Sequence, residues 1–226
     1  MQAIFETLFD VAYLTTVITL GLRMLRSAGD HRQSRLFGAM AVLLGCGDAF
    51  HLVPRAVALW GDGLAAHAAS LGFGQFVTSI TMTVFYVVLY HIWRLRYDVS
   101  DRRTLTGVVY LLAALRILLC LMPQNDWLSA DAPLSWGIGR NIPFALLGLL
   151  IIVLFYQEAR RHNDAAFGRM WLAITLSFGF YVPVVLFADV FPPVGMLMIP
   201  KTCAYVWIVW MGYRASKTAL QRGALK

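Results

Sequence analysis

The chain has 226 residues, of which 59% are hydrophobic and only 14% are charged, and its formal net charge is +7. Soluble domains usually contain about 25% charged residues, so this composition excludes an ordinary soluble domain and is typical of an integral membrane protein. No nucleic-acid-binding motif accompanies the positive charge, and we expect no nucleic-acid partner.

Seven apolar runs, separated by short polar loops, account for most of the chain. Each run is long enough to cross a bilayer as a helix, which needs about 20 apolar residues and satisfies its own backbone hydrogen bonds in lipid. We therefore predict an all-α, polytopic seven-transmembrane-helix bundle that forms a single integral membrane domain over residues 1–226. The predicted helices lie at about 3–22, 36–54, 68–93, 105–122, 139–157, 168–190 and 194–213.

Basic residues gather in alternate loops, and this pattern predicts the orientation of the bundle. Loops rich in lysine and arginine face the cytoplasm by the positive-inside rule, so the N-terminus is predicted outside and the C-terminus in the cytoplasm. The expected location is a cell membrane, with membrane lipid as a partner, and the short loops favour a bacterial inner membrane. The basic residues behind this prediction are Arg23, Arg26, Arg32, Arg35, Arg94, Arg96, Arg102, Arg103, Arg160, Arg161, Arg169, Arg214, Lys217, Arg222 and Lys226.

Polar and ionisable side chains inside the apolar runs fall mainly in the half predicted to face outward. A charged side chain at the bilayer centre costs at least about 2.5–3.5 kcal/mol on insertion scales, so such residues are rarely placed there without a function. We interpret the bias as a polar cavity, open to the outer side, that binds a small charged or amphiphilic ligand. The residues expected to bind the ligand are Asp10, Arg55, Gln75, Arg116, Arg140, Asn141, Tyr181, Asp189, Lys201 and Tyr205.

Two of the predicted helices carry polar residues on a single face. Asp48, His51 and Arg55 are three and four residues apart in 45-GCGDAFHLVPR-55, and residues at these spacings share a helical face. Lys201 and Tyr205, four residues apart, do the same. Three roles are open for Asp48 and His51: a catalytic acid/base pair, metal ligands, or members of an interhelical hydrogen-bond network.

Two cations within the predicted bundle need partners. Arg116 has no polar neighbour on its own helix, so we expect it to pair across helices with Asp10, Asp48 or Asp189. Lys201 is the only lysine inside the bundle. A desolvated lysine, unlike arginine, can lose its proton, so Lys201 could be a counter-charge for a ligand, a proton carrier or a Schiff-base amine. A salt bridge to Asp48 or Asp189 is the structural alternative.

The stretch 45-GCGDAFH-51, with seven helices and an outside N-terminus, resembles the alkaline ceramidase superfamily of membrane hydrolases. The resemblance implies that His51 binds a zinc ion and that Asp48 lies near the serine of that family. It implies an enzyme that hydrolyses membrane lipid. The family also has two histidine ligands spaced H-x-x-x-H on its last helix, whereas 199-IPKTCAYVWIVW-210 contains no histidine.

The predicted topology also resembles the microbial rhodopsins, with a lysine on helix seven and Tyr-x-Pro-Val-Val on helix six, at Tyr181 and Pro183. This resemblance implies a Schiff base between Lys201 and retinal. The chain differs at Leu197, where the family has an aspartate four residues before the lysine, and it lacks the R-x-x-D-W pattern of helix three.

Three functions follow from these patterns. The first is a transport or sensing protein that binds a ligand in the outward-facing cavity. The second is a lipid hydrolase that uses Asp48 and His51, and the third is a retinal-type chromoprotein that uses Lys201. For a sensor we expect a cytoplasmic partner or a homo-oligomer, because the short C-terminal tail has no output domain.

Overall fold

In the computed structural model, which describes residues 2–188 and 190–224, the chain forms seven long α-helices and no strand. All seven are long and apolar enough to cross a membrane, which confirms the predicted all-α multi-pass architecture. The helices are α1 (Gln2–Ser27), α2 (Arg32–Trp60), α3 (Ala68–Arg96), α4 (Arg103–Leu121), α5 (Leu134–Arg161), α6 (Met170–Phe187) and α7 (Met198–Ala224). Short 3₁₀ helices cover Ala65–His67, Pro123–Asn125 and Pro192–Leu197.

Most of the helices extend beyond the apolar runs in the sequence. Helix α5, for example, continues to Arg161, and α7 continues to Ala224. Hydropathy marks only the part of a helix that lies in hydrocarbon, whereas flanking polar residues can continue the same helix into water. Helix α7 instead begins late, at Met198, after the 3₁₀ turn that starts with two prolines. Pro200 therefore lies in the first turn of α7, where its missing N–H breaks no helical hydrogen bond.

Successive helices run in opposite directions. The indole of Trp60 at the end of α2 donates to Thr7 at the start of α1, with 2.9 Å between Nε1 and Oγ1. At the opposite end, the hydroxyl oxygens of Tyr90 on α3 and Thr106 on α4 lie 2.8 Å apart. The helices α1, α3, α5 and α7 thus begin at the same end of the bundle. We call this the outer end, and the opposite one the inner end.

Glycines allow α1, α2 and α3 to pack closely. A Cβ atom on Gly21 would lie 3.0 Å from the carbonyl oxygen of Gly38, and one on Gly38 would lie 2.9 Å from that of Gly21. Between α2 and α3, the Thr78 hydroxyl donates to the Gly47 carbonyl at 3.1 Å. Small residues are the usual means of bringing membrane helices together, because lipid provides no hydrophobic drive for their association.

A carboxylate at the inner end ties the α5–α6 loop to α3. Asp164 accepts two hydrogen bonds from Arg96, both 2.8 Å long, and one of 3.1 Å from the Tyr97 hydroxyl. Its Oδ1 also accepts the backbone N–H of Ala166 at 3.0 Å. Partial burial acts to raise the pKa of Asp164, but the hydrogen bonds and charge of Arg96 outweigh it, so the pKa lies below its ordinary value.

We expect Asp164→Asn to lower the melting temperature by a few degrees at neutral pH. Because folding lowers the pKa of Asp164, its stabilising effect is present above the ordinary carboxyl pKa of 3.8 and is lost as the pH falls below it. The difference in melting temperature between wild type and variant should therefore shrink as the pH is lowered through about 4. Thermal unfolding in detergent from about pH 3 to 7 measures this, with the exposed Asp101→Asn as control. A difference that stays constant with pH would contradict it.

Candidate functional site

A layer of buried aromatic side chains divides the interior of the bundle. Tyr13, Phe85, Tyr86, Phe144 and Tyr205 come from four helices, and each is at most 3% exposed. The rings of the last four pack edge to face, with centroids 5.7 Å apart for Phe85–Tyr205 and 5.2 Å for Tyr86–Phe144. We call these five residues the aromatic floor. They separate an apolar inner half from a polar outer half.

Polar side chains from α2, α5, α6 and α7 lie near the aromatic floor on its outer side. Asp48, Asn141, Tyr181 and Lys201 are all partly accessible, in contrast to the closed aromatic layer. These four residues, with Arg116 and Tyr205, form the candidate site.

Asp48 is held on the α1 side of the site. The Tyr13 hydroxyl donates to its Oδ2 at 2.6 Å, which links α1 to α2. Such a short hydrogen bond to a carboxylate is among the stronger ones in proteins. The charge of Asp48 also interacts with that of Lys201. One carboxylate oxygen is thus fixed by Tyr13, and the electrostatic partner of the group lies across the site on α7.

Lys201 projects between two tyrosine rings. Its Nζ lies 4.8 Å from the ring centroid of Tyr181 and 5.4 Å from that of Tyr205. Within residues 2–188 and 190–224, no acceptor hydrogen-bonds this ammonium group and no carboxylate lies within 4.0 Å of it. The expected salt bridge to Asp48 is therefore not formed, although the two charges interact. The other expected partner, Asp189, lies outside the described residues.

Arg116 is the hub of the α4–α5–α6 side of the site and is only 2% exposed. Its Nη1 donates to Asn141 Oδ1 at 2.9 Å, and the same oxygen accepts the Tyr181 hydroxyl at 2.9 Å. The guanidinium lies 3.6 Å from the Phe144 centroid. The expected pairing of Arg116 with Asp10 or Asp48 is not found. A neutral amide on the facing helix and an aromatic ring take the place of a carboxylate.

The outer loop between α4 and α5 packs on Arg140. The Arg140 Nη1 donates to Asn125 Oδ1 at 2.9 Å, and its guanidinium lies 4.1 Å from the Trp127 ring centroid. Asn125 is fully buried, and its side-chain amide donates to the Leu119 and Met122 carbonyls at the end of α4. Sequence reasoning missed Asn125 and Trp127. The signal available was a tryptophan in an otherwise polar loop.

Four predicted site residues lie apart from Lys201. Arg55 forms an ion pair with Glu6 at 2.9 Å between Nε and Oε2, on the rim made by α1 and α2. Asp10 lies on the same rim, where its charge interacts with theirs. The His51 Nδ1 faces the Leu71 carbonyl oxygen at 3.4 Å, so His51 contacts α3 and not Asp48. Gln75 is exposed, and in the described part of the chain it makes no hydrogen bond to the site.

The side chains that the structure describes do not form a zinc site. Of the residues that the structure describes, no three histidines, cysteines, aspartates or glutamates lie close enough together to hold a metal ion. Structural and catalytic zinc sites use three or four such ligands, and His51 alone does not supply them. The zinc implied by the ceramidase-like stretch therefore does not fit this donor set.

No family model, curated protein or solved structure matches this chain. The two family resemblances drawn from short sequence stretches thus stay predictions, and the function has to be argued from the site itself. That site offers an ammonium for which the described residues provide no hydrogen-bond acceptor, a carboxylate held by a tyrosine, and neutral polar side chains bound to a buried guanidinium. Such a set binds charged groups of small molecules by charge-assisted hydrogen bonds.

Proposed function

We propose that this protein binds a small anion or zwitterion in the outer half of its bundle, in transport or in sensing. The observation that carries the proposal is that the Lys201 ammonium has no hydrogen-bond acceptor among the described residues. An ammonium has three hydrogen-bond donors, and withdrawing it from water is costly unless those donors find acceptors. In the described chain no acceptor forms a hydrogen bond with them, and two tyrosine rings lie near the ammonium. A carboxylate or phosphate group of a ligand would provide the missing acceptors.

The surroundings of Lys201 support a zwitterion in particular. Asp48 has one oxygen engaged by Tyr13, which leaves the carboxylate able to accept a hydrogen bond from a cationic group. Its charge and that of Lys201 interact without a contact shorter than 4.0 Å, so a ligand with both charges has a partner for each. The aromatic floor would limit how deep the ligand sits, and Asn141 and Tyr181 would form the polar wall beside it.

We further propose the orientation that the loop charges predict, with the N-terminus outside and the C-terminus in the cytoplasm of a bacterial inner membrane. The support is the concentration of arginine and lysine at the inner end, where α1, α3, α5 and α7 finish. In this orientation the site opens toward the outside.

A thermal-stability screen of the purified protein against small carboxylates, amino acids and phosphate esters tests the proposal. A ligand that binds the folded state raises the melting temperature as its concentration increases. We expect Lys201→Ala to weaken the binding of the stabilising compound at least about 10-fold, because a charge-assisted hydrogen bond is lost. Lys201→Arg keeps the charge and should retain part of the affinity.

Two matched variants make the result specific. Arg214→Ala removes an exposed arginine at the inner end of the same helix and should leave binding unchanged. Asp189→Asn tests whether this acid, outside the described residues, serves as the counter-charge of Lys201. If Lys201→Ala bound the compound as well as wild type, the proposed function would be refuted.

A retinal-type chromoprotein is the second candidate, favoured by the same unbonded amine between two aromatic rings with Asp48 on the facing side. Condensation of the amine with an aldehyde releases water and leaves an imine. Addition of retinal to the purified protein should then produce a visible absorbance band that Lys201→Arg lacks. A protein that stays colourless excludes this function.

A further inference from the structure

A cavity of about 520 Å³ lies at the inner end between the last turns of α1 and α7. Arg23 and Arg26 of α1 and Lys217 of α7 line it. These two helices are both long and apolar enough to span the membrane, so the cavity lies where their cationic ends leave the hydrocarbon. Lys217 follows Lys201 by 16 residues on α7, or about 24 Å along the helix axis, so the cavity is a different place from the candidate site.

The charge around this cavity is of one sign. No aspartate or glutamate lines it, and none of its three cations has an ion-pair partner within 4.0 Å among the described residues. Most of the lining surface is nevertheless apolar, and Met24, Tyr213 and Leu220 contribute to it. A cationic rim joined to an apolar wall complements a molecule with an anionic end and a hydrocarbon end.

The seam between α1 and α7 continues from this cavity toward the outer end. A second hollow of about 250 Å³ lies along it, between Phe9–Thr16 of α1 and Cys203 and Val206 of α7. From Arg23 to Thr16 the helix rises about 10 Å. One leaflet of hydrocarbon is about 15 Å thick, so this length of seam lies within the reach of an acyl chain.

We propose that the inner end of the α1–α7 seam binds an anionic phospholipid, with the phosphate at Arg23, Arg26 and Lys217 and an acyl chain along the seam. Basic pockets between membrane helices on this side of a bundle suit anionic head groups. The volume of the inner-end cavity exceeds that of a lone phosphate ion, and its apolar wall favours a lipid over a free anion. The proposal rests on neither the proposed function nor Lys201.

Thermal unfolding in neutral detergent, with lipid added, tests the proposal. We expect phosphatidylglycerol to raise the melting temperature in a saturable way and phosphatidylcholine to have little effect. The variant R23Q/R26Q/K217Q should need at least about 10-fold more phosphatidylglycerol for the same shift. Inorganic phosphate at equal concentration should not stabilise the protein. Stabilisation by phosphate alone, or equally by phosphatidylcholine, would overturn the proposal.

A matched triple variant controls for general attraction to anionic lipid. R35Q/R103Q/R169Q also removes three exposed cations, none of which lines the cavity. It should respond to phosphatidylglycerol as wild type does, and an equal loss in both triple variants would overturn the proposal. Should the first triple variant fail to fold, the single variants R26Q and K217Q give the same comparison. If R26Q and K217Q both responded to phosphatidylglycerol as wild type does, the proposed lipid site would be overturned. Binding of small ligands at Lys201, measured in parallel, reports separately on the proposed function.

Discussion

Asn141→Leu is expected to lower the free energy of unfolding by about 3 kcal/mol, because it leaves buried hydrogen-bond donors without an acceptor. The amide oxygen of Asn141 accepts hydrogen bonds from both Arg116 and Tyr181. Leucine is similar in size but leaves both donors without this acceptor. Because Arg116 is almost completely buried, its guanidinium cannot recover the lost hydrogen bond from bulk water.

Asn141→Asp is the informative companion variant. It keeps an oxygen at the same place and gives Arg116 a carboxylate, so we expect it to keep most of the stability that Asn141→Leu loses. Gln75→Leu serves as control, because Gln75 is exposed and such substitutions usually change stability by about 0.5 kcal/mol or less. Chemical or thermal unfolding in detergent measures all three. Equal stability of Asn141→Leu and wild type would show that the Arg116 hub does not stabilise the bundle.

Gly74→Ala is expected to destabilise the protein by about 3 kcal/mol, at the upper end of the usual range for single substitutions. A Cβ atom on Gly74 would overlap the carbonyl oxygen of Phe50 and the Cα of His51. These are backbone atoms, so no side-chain rotation relieves the overlap and α2 and α3 must move apart. The movement would also disturb the nearby hydrogen bond from Thr78 to Gly47.

Gly107→Ala provides a matched control for this prediction. It makes the same chemical change in a membrane helix, but a Cβ atom on Gly107 has no neighbour within 4 Å. Alanine is favoured over glycine in a helix by about 1 kcal/mol, so this variant should be as stable as wild type or slightly more stable. If both variants behaved alike in unfolding experiments, the close approach of α2 and α3 would not matter for stability.

The number and approximate position of the helices could be predicted from the sequence, since hydrocarbon thickness requires long apolar runs. The helical repeat alone predicts that Lys201 and Tyr205 lie on one face of α7. The partners of Arg116 could not be predicted in the same way. They depend on how α4, α5 and α6 are rotated relative to one another, and this rotation is set by the packing of many side chains at once.

A shared helical face also proved insufficient to place residues in one site. Asp48 and Arg55 lie on the same side of α2 but differ by seven residues, or about 10 Å along the axis. At its depth Asp48 meets Tyr13, whereas Arg55 reaches the rim and pairs with Glu6. Loop residues such as Asn125 were missed for a further reason, because a loop has no periodicity from which its contacts can be inferred.

The aromatic floor has a consequence for how any solute could cross the membrane through this protein. The rings of Phe85, Tyr86, Phe144 and Tyr205 form a buried, closely packed layer across the interior of the bundle. Carriage to the inner side would require several of these rings to change rotamer together, as in alternating access, and turnover would then be limited by that rearrangement. Detection of a solute would require only a small displacement of these rings, which α7 could transmit toward the inner end through Tyr205.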